Sequence, residues 1–240
     1  MKIKFHYIIS LALSTALFSC EKDNYEAPSS LLSGRLLYQG TPLNFEYNRV
    51  SYELYQDGFG KTGPLNAGIP NVQGSFFTSE GEYSQLLFNG TYKMVVPNGQ
   101  GPFLWGEEAD MPDTVIINVS GNTHQDFEVI PFWMIRNTQL SGSGNQVSGT
   151  FALEQIVTDA NARDIESVTL YVSKTLFANS QTNVATNTIE GNALIDLSNV
   201  SLSATVPELV PTQSYVFASI GVKLTGIDDM IFSPTQKIDL

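Results

Sequence analysis

Apolar and polar side chains alternate with a period of two through most of this chain, the pattern of strands buried on one face. Val50-Ser51-Tyr52-Glu53-Leu54-Tyr55 puts Val50, Tyr52 and Leu54 on a single face. Gly90 to Pro97 does the same with Tyr92, Met94 and Val96, and Thr114 to Val119 with Val115, Ile117 and Val119. Leu32 to Tyr38, Gly74 to Thr78 and Phe127 to Pro131 complete the strands predicted in a first domain, residues 31–131. Gln39-Gly40-Thr41-Pro42 and Asp57-Gly58 supply turn chemistry between them. After Phe132-Trp133-Met134-Ile135 the alternation resumes in Val147 to Ile156, Ile165 to Ser173, Leu194 to Val206, Tyr215 to Leu224 and Phe232 to Leu240. Thr175 to Thr188 is polar and reads as an extended loop with an edge strand. Ser141-Gly142-Ser143-Gly144-Asn145 reads equally as a hairpin loop or a linker. No window holds the 3.6-residue period of a long amphipathic helix. The expectation is an all-β chain of two β-sandwich domains in tandem. The second, residues 132–240, has the short, closely spaced strands of an immunoglobulin or fibronectin-III-like sandwich.

Residues 1–30 break the alternation. Lys2 and Lys4 precede an almost wholly apolar run from Tyr7 to Phe18, the layout of a secretory signal. The run is shorter than the ~20 residues a membrane-spanning helix needs. Leu17-Phe18-Ser19-Cys20 resembles a lipobox, which makes residues 1–19 a lipoprotein signal peptide and Cys20 the lipid-attachment site. Acyl chains on Cys20 anchor the protein, each buried CH2 contributing roughly 0.8 kcal/mol. Glu21-Lys22-Asp23 resembles the charged signal that sends such lipoproteins to the outer face of the outer membrane. Residues 20–30 read as a flexible tether.

Composition narrows the partners. The chain holds 24 acidic and 12 basic residues, a net charge of −12. An acidic surface disfavours nucleic acid, whose phosphates need basic patches. It also disfavours electrostatic attachment to anionic lipid, so the membrane is met through the lipid anchor alone. Cys20 is the single cysteine, so no disulfide forms within the chain and the apolar core carries the fold.

Several segments resemble known families. Ser33-Gly34 followed by Gly40-Thr41-Pro42, then Gly90-Thr91-Tyr92 and the ending Asp126-Phe127-Glu128-Val129, resemble the carboxypeptidase-regulatory or transthyretin-like (prealbumin-like) sandwich. Tyr215 to Val222 resembles the penultimate strand of an immunoglobulin-like domain. The chain as a whole resembles a two-domain family of uncharacterised Bacteroidetes lipoproteins, most specifically in Leu87 to Lys93 and Gly101-Pro102-Phe103. Such genes tend to lie beside receptor and starch-binding-like lipoprotein pairs that import glycans. The resemblance therefore implies a non-enzymatic role next to an outer-membrane glycan receptor complex, and it carries over no catalytic residue.

The residues themselves offer little reactive chemistry. His6 leaves with the signal peptide, and His124 sits in a polar turn. Gly60-Lys61-Thr62 imitates a phosphate loop, but Tyr55 stands where its first glycine should be. Glu107, Glu108, Asp110 and Asp113 read either as a solvated acidic loop or as oxygen ligands for Ca2+; no other cofactor is implied. Asp113-Thr114-Val115 resembles an O-glycosylation site at Thr114. Aromatics are the better lead, because pyranose rings stack their C–H faces on open indole and phenol rings. Phe103 and Trp105 lie in a Gly/Pro-rich loop, Trp133 at the domain junction, and Tyr38, Phe45 and Tyr47 beside another loop. Each could instead be packing. The expectation is a surface lipoprotein that binds polysaccharide or oligosaccharide. The alternative is a docking module that binds protein partners only, and a carboxylate-based glycoside hydrolase is the weakest reading.

Overall fold

The computed structural model describes residues 26–56, 76–97, 99–106 and 113–240. Two β-sandwiches follow one another along the chain, as the period-two pattern predicts. In the first, the central strand β1 (Ser30–Tyr38) turns back through β2 (Thr41–Pro42) and passes on to β3 (Asn44–Phe45) and β4 (Glu53–Tyr55). β5 (Glu82–Leu87), β6 (Gly90–Val95), β7 (Phe103–Leu104), β8 (Val115–Val119), β9 (Thr123–His124), β10 (Phe127–Glu128) and β11 (Ile130–Pro131) follow. One sheet is built on β1: β5 and β2 pair antiparallel with it, while β9 and β10 run parallel to it. The facing sheet has the order β4-β6-β8. Between them lie Leu32, Leu36, Tyr52, Leu54, Phe77, Tyr83, Tyr92 and Met94, each at most 2% exposed. Burial pushes the Tyr52 and Tyr83 hydroxyl pKa values up.

The predicted strand over Gly74 to Thr78 is not seen among the described residues; Phe76 makes an isolated bridge to Ser51, and 57–75 lie outside them. β5 was not expected. Its alternation is weak, with Tyr83 buried but Leu86 58% exposed.

The second sandwich begins with β12 (Trp133–Ser143) and β13 (Gln146–Gln155). These pair to the end, Ser143 opposite Gln146, so Gly144-Asn145 is a hairpin turn and not a linker. β14 (Ile165–Ser173), β15 (Ala185–Glu190), β16 (Val200–Thr205), β17 (Tyr215–Leu224), β18 (Ile231–Phe232) and β19 (Gln236–Asp239) follow. One sheet is β12-β13-β16; the other is β15-β14-β17, with β18 and β19 both on β17. Leu194 to Val206 forms a strand only from Val200. Before it, Asp196 Oδ1 accepts from the Ser198 N–H at 2.9 Å and hydroxyl at 2.6 Å, closing a turn. Thr175 to Thr188 is a loop leading into the edge strand β15.

β17 is buried on both faces. Val216, Ala218, Ile220 and Val222 fill the sandwich, while Tyr171, Ala178, Met230 and Phe232 form a second small cluster. Ser219, wholly buried, is satisfied by donating to the Ala178 carbonyl at 2.5 Å.

The two sandwiches share one apolar core. β3, from the first, adds to the six-stranded sheet of the second through β18, Phe45 opposite Ile231. The next residue, Glu46, is 4% exposed and accepts from the Ser180 backbone at 3.0 Å and from its hydroxyl. Phe45 packs on Phe103 with centroids 5.6 Å apart.

Candidate functional site

A cleft of about 390 Å³ opens where the two sandwiches meet. One wall is the loop between β6 and β7 with its continuation to Trp105; the other is the β13–β14 connection, with Asn161 and Arg163. The first wall is glycine-rich for geometric reasons. Gly101 and Gly106 have φ of 78° and 76°, a region in which side chains are strained. A Cβ on Gly101 would stand 2.2 Å from the Phe103 ring, and one on Gly106 1.9 Å from Asp113 Oδ1. The close approach at Gly106 lets the chain past Asp113 fold back under Trp105, whose Nε1–H donates to the Asp113 carbonyl at 3.0 Å. The Trp105 ring meets Phe127 edge-on at 5.4 Å. One side of the indole is thus set in the core and the ring is held still, while the remainder is open to the cleft.

The loop is tied to the other sandwich by Asp229, which is 6% exposed and accepts from the buried Gly101 N–H at 2.8 Å. Burial raises the pKa of the Asp229 carboxyl; the Gly101 amide opposes this, Asp228 adds to it, and Lys223 and Arg49 oppose it. Because the folded pKa lies above the unfolded one, the folded state holds this proton more tightly. The contribution to stability is full below the unfolded carboxylate range and is lost as pH rises through the folded value. Asp229→Asn keeps an acceptor for Gly101 without the charge. It is expected to flatten that fall from the ordinary carboxylate range up to neutral pH and to hold stability there. Asp229→Ala leaves the buried N–H unpaired at a cost of about 1–2 kcal/mol. Urea unfolding across this range checks the pair; equal losses in both variants would contradict the assignment.

The opposite wall is organised around Arg163. An Asx turn at Asp159, whose Oδ1 accepts from the Asn161 N–H at 2.8 Å, starts the connection. Arg163 Nη1 donates to the Asn161 and Ala162 carbonyls at 2.8 and 3.0 Å, and the guanidinium lies 5.4 Å from the Phe132 ring centre. The carbonyl of Arg163 accepts from Trp133 Nε1–H at 2.7 Å. Gln100 completes the polar lining; its Oε1 accepts from the Ser51 hydroxyl at 3.0 Å.

The aromatic residues singled out from the sequence do not form one platform. Phe103 and Trp133 are 4% and 6% exposed, so neither offers a face to a sugar; both pack where the sandwiches meet. Tyr38 is partly buried against the core. Tyr47 lies elsewhere, its ring 4.8 Å from Phe177 across the domain seam. Phe45 is 2% exposed, and Trp105 alone of the six combines a partly open ring with a sizeable cleft. Arg163, Asn161 and Gln100 were not anticipated, since nothing local marks a residue whose role is set by a distant loop.

Cys20, Glu107, Glu108 and Asp110 lie outside the described residues. Asp113 turns its carboxylate to Gly106, and Thr114 is exposed in the bend just before β8. No group of three or more His, Cys, Asp or Glu comes together among the described residues. His124 is in β9, not in a turn, and 66% exposed. Its Nδ1 is 3.4 Å from Ser33 Oγ and its Nε2 3.1 Å from Asp126. This line of three resembles a triad only in composition. It lies on the outer side of the β1 sheet, where no described cleft would hold a substrate, and Asp126 is already the acceptor for the Arg35 N–H at 2.9 Å.

Fold and cleft together define a class: an all-β protein of two sandwiches with a polar, Trp-bearing cleft at their junction. The model described as "Protein of unknown function (DUF3823) N-terminal domain" matches residues 30–130, and "Domain of unknown function (DUF3823_C)" matches 133–237. The chain belongs to the DUF3823 family. A family structure from Parabacteroides merdae is 33% identical and superposes with a TM-score of 0.73, covering 89% of this chain and 100% of its own. One from Bacteroides ovatus is 25% identical, with a TM-score of 0.72 over 88% of this chain and 100% of its own. A Bacteroides uniformis structure, described as a candidate carbohydrate binding protein, has the same fold at 18% identity; its TM-score is 0.65, over 89% of this chain and 100% of its own. No curated protein matches the chain.

Proposed function

We propose that this protein is a non-enzymatic, lipid-anchored protein of the outer cell surface. In this reading it binds glycan in the cleft between its sandwiches, as an accessory to an outer-membrane polysaccharide receptor complex. The observation that carries the binding function is Trp105: an indole fixed by Phe127 and the Asp113 carbonyl, open on a cleft whose polar lining includes Gln100, Asn161 and Arg163. A sugar ring needs that combination, an apolar plate for its C–H face and amide or guanidinium groups for its hydroxyls. The cleft volume falls within the range of small-ligand sites, about 300–1,000 Å³. The description of the Bacteroides uniformis protein that shares the fold agrees with this reading. The anchor at Cys20 lets a modest affinity suffice, since tethering raises local concentration.

Affinity electrophoresis of the purified full chain against neutral and acidic polysaccharides tests the cleft. At least one polymer is expected to retard it, and Trp105→Ala is expected to weaken retention about tenfold, ~1.4 kcal/mol. Cells carrying Cys20→Ser are expected to lose surface retention of that polymer while the purified variant still binds it. Retention of none, or an unchanged Trp105→Ala, would turn the reading toward a protein-docking module.

A further inference from the structure

We propose that the ligand of this cleft carries an anionic group, a carboxylate or sulfate on a sugar ring, and that Arg163 receives it. The inference rests on the reading of the cleft as a glycan site and narrows its ligand.

Arginine is the first line of argument. Arg35, Arg49 and Arg136 each stand beside a carboxylate, those of Glu82, Glu46 and Glu154. Arg163 has no carboxylate partner among the described residues, although acidic residues outnumber basic ones two to one in this chain. It is also partly buried. A guanidinium withdrawn from water without a counter-ion is costly, so keeping one points to an anion that arrives with the ligand.

Geometry is the second. Both described hydrogen bonds of the Arg163 guanidinium use Nη1. Nε and Nη2 have no acceptor among the described residues, and their N–H groups form the planar fork that matches two oxygens of a carboxylate or sulfate. The fork is held before any ligand comes: Nη1 is fixed by two carbonyls, the plane lies over Phe132, and the backbone is gripped by Trp133. A receptor group fixed in this way loses little conformational freedom on binding.

The surroundings are the third. Asn161 lines the cleft, and its carboxamide makes no hydrogen bond with another described residue. Gln100 uses its oxygen on Ser51, which leaves its NH2 group as the donor it can offer. Asp113, the one carboxylate among the described residues that line the cleft, has an oxygen against Gly106 on the Trp105 side. Beside the Arg163 fork the cleft thus offers the NH2 groups of Asn161 and Gln100 as further donors, with the Asn161 oxygen as an acceptor for a hydroxyl of the same sugar. The net charge of the protein opposes an anion at long range, so selectivity here comes from short hydrogen bonds.

The test uses four polymers and three variants of the full chain. Polygalacturonate is compared with its methyl-esterified form for the carboxylate, and a sulfated galactan with its unsulfated counterpart for the sulfate. Binding is measured by affinity electrophoresis and titration calorimetry. At least one charged polymer is expected to bind tenfold or more tightly than its neutral partner. Arg163→Gln is expected to abolish that preference, and Arg163→Lys, which keeps the charge but not the fork, to restore part of it. Circular-dichroism melting confirms that the variants are folded. If neutral and charged polymers bind alike, or Arg163→Gln leaves the preference intact, the proposal is overturned. The glycan reading then stands as long as Trp105→Ala still weakens binding. Retention of none of the four overturns the proposal as well.

Discussion

Alanine at position 34 is expected to destabilise the first sandwich by about 3 kcal/mol or more. Gly34 lies in the middle of β1 and faces the core. Beside it, β9 and β10 run parallel to β1 at different heights, and the chain crosses from one to the other at Gln125-Asp126. That crossing is pressed onto β1. The Gln125 N–H donates to the Ser33 carbonyl at 2.8 Å, and Asp126 accepts from the Arg35 N–H at 2.9 Å. The Gln125 carbonyl therefore occupies the space where a side chain at 34 would begin. A Cβ there would stand 1.8 Å from that oxygen and 2.9 Å from the Tyr83 ring. The obstacle is backbone, which cannot swing aside as the end of a long side chain could. The same carbonyl accepts the Tyr83 hydroxyl at 2.6 Å, and Tyr83 stacks on Phe127 at 5.8 Å. Moving the crossing thus disturbs the centre of the aromatic core. Thermal melting is the measurement: at about 2–4 °C per kcal/mol for a chain of this size, the midpoint is expected to fall by roughly 6–12 °C. Ser33→Ala, on the opposite face of the same strand, is expected to change stability by less than about 0.5 kcal/mol. An unchanged midpoint for Gly34→Ala would mean that the crossing has room to spare.

Ser33-Gly34 belonged to the segments that carry the family resemblance, and the need for glycine there is a contact with residue 125 that no local pattern encodes. The same division runs through the molecule. Where one face of a strand meets the core and the other meets water, alternation located the buried side correctly, as for Tyr52 and Leu54, Tyr92 and Met94, or Ile117 and Val119. Where both faces are covered, it could not. Ser219 and Gly221 of β17 looked outward and are buried under a second cluster. β5 failed the opposite way, since Leu86 points to solvent. In the cleft, Trp105 was legible because an indole in a Gly/Pro-rich loop has no strand face to occupy. Arg163 was not, because it becomes a candidate only when its lack of a carboxylate partner and its place opposite Trp105 are both seen.

Trp133→Ala is expected to cost about 3–5 kcal/mol, the usual range for removing a large aromatic ring from a core. Trp133 is 6% exposed at the start of β12 and packs into the core shared by both sandwiches, so its ring cannot serve as a sugar platform. Its polar edge nevertheless reaches the site from behind, through the 2.7 Å bond from Nε1–H to the Arg163 carbonyl. Trp133→Phe separates the two roles. It keeps most of the apolar contact and removes only the donor, which is expected to cost about 1–2 kcal/mol in urea unfolding. The freed carbonyl lets the β13–β14 connection shift, and with it the guanidinium that Phe132 and two carbonyls otherwise hold in place. Affinity for an acidic glycan should therefore fall several-fold in Trp133→Phe, and affinity for a neutral one much less. The decisive measurement is a double-mutant cycle with Arg163→Gln. If Trp133 acts through Arg163, then Trp133→Phe has little further effect on binding once Arg163 is gone, while its effect on stability persists. Binding losses that simply add would mean that Trp133 does not act through Arg163.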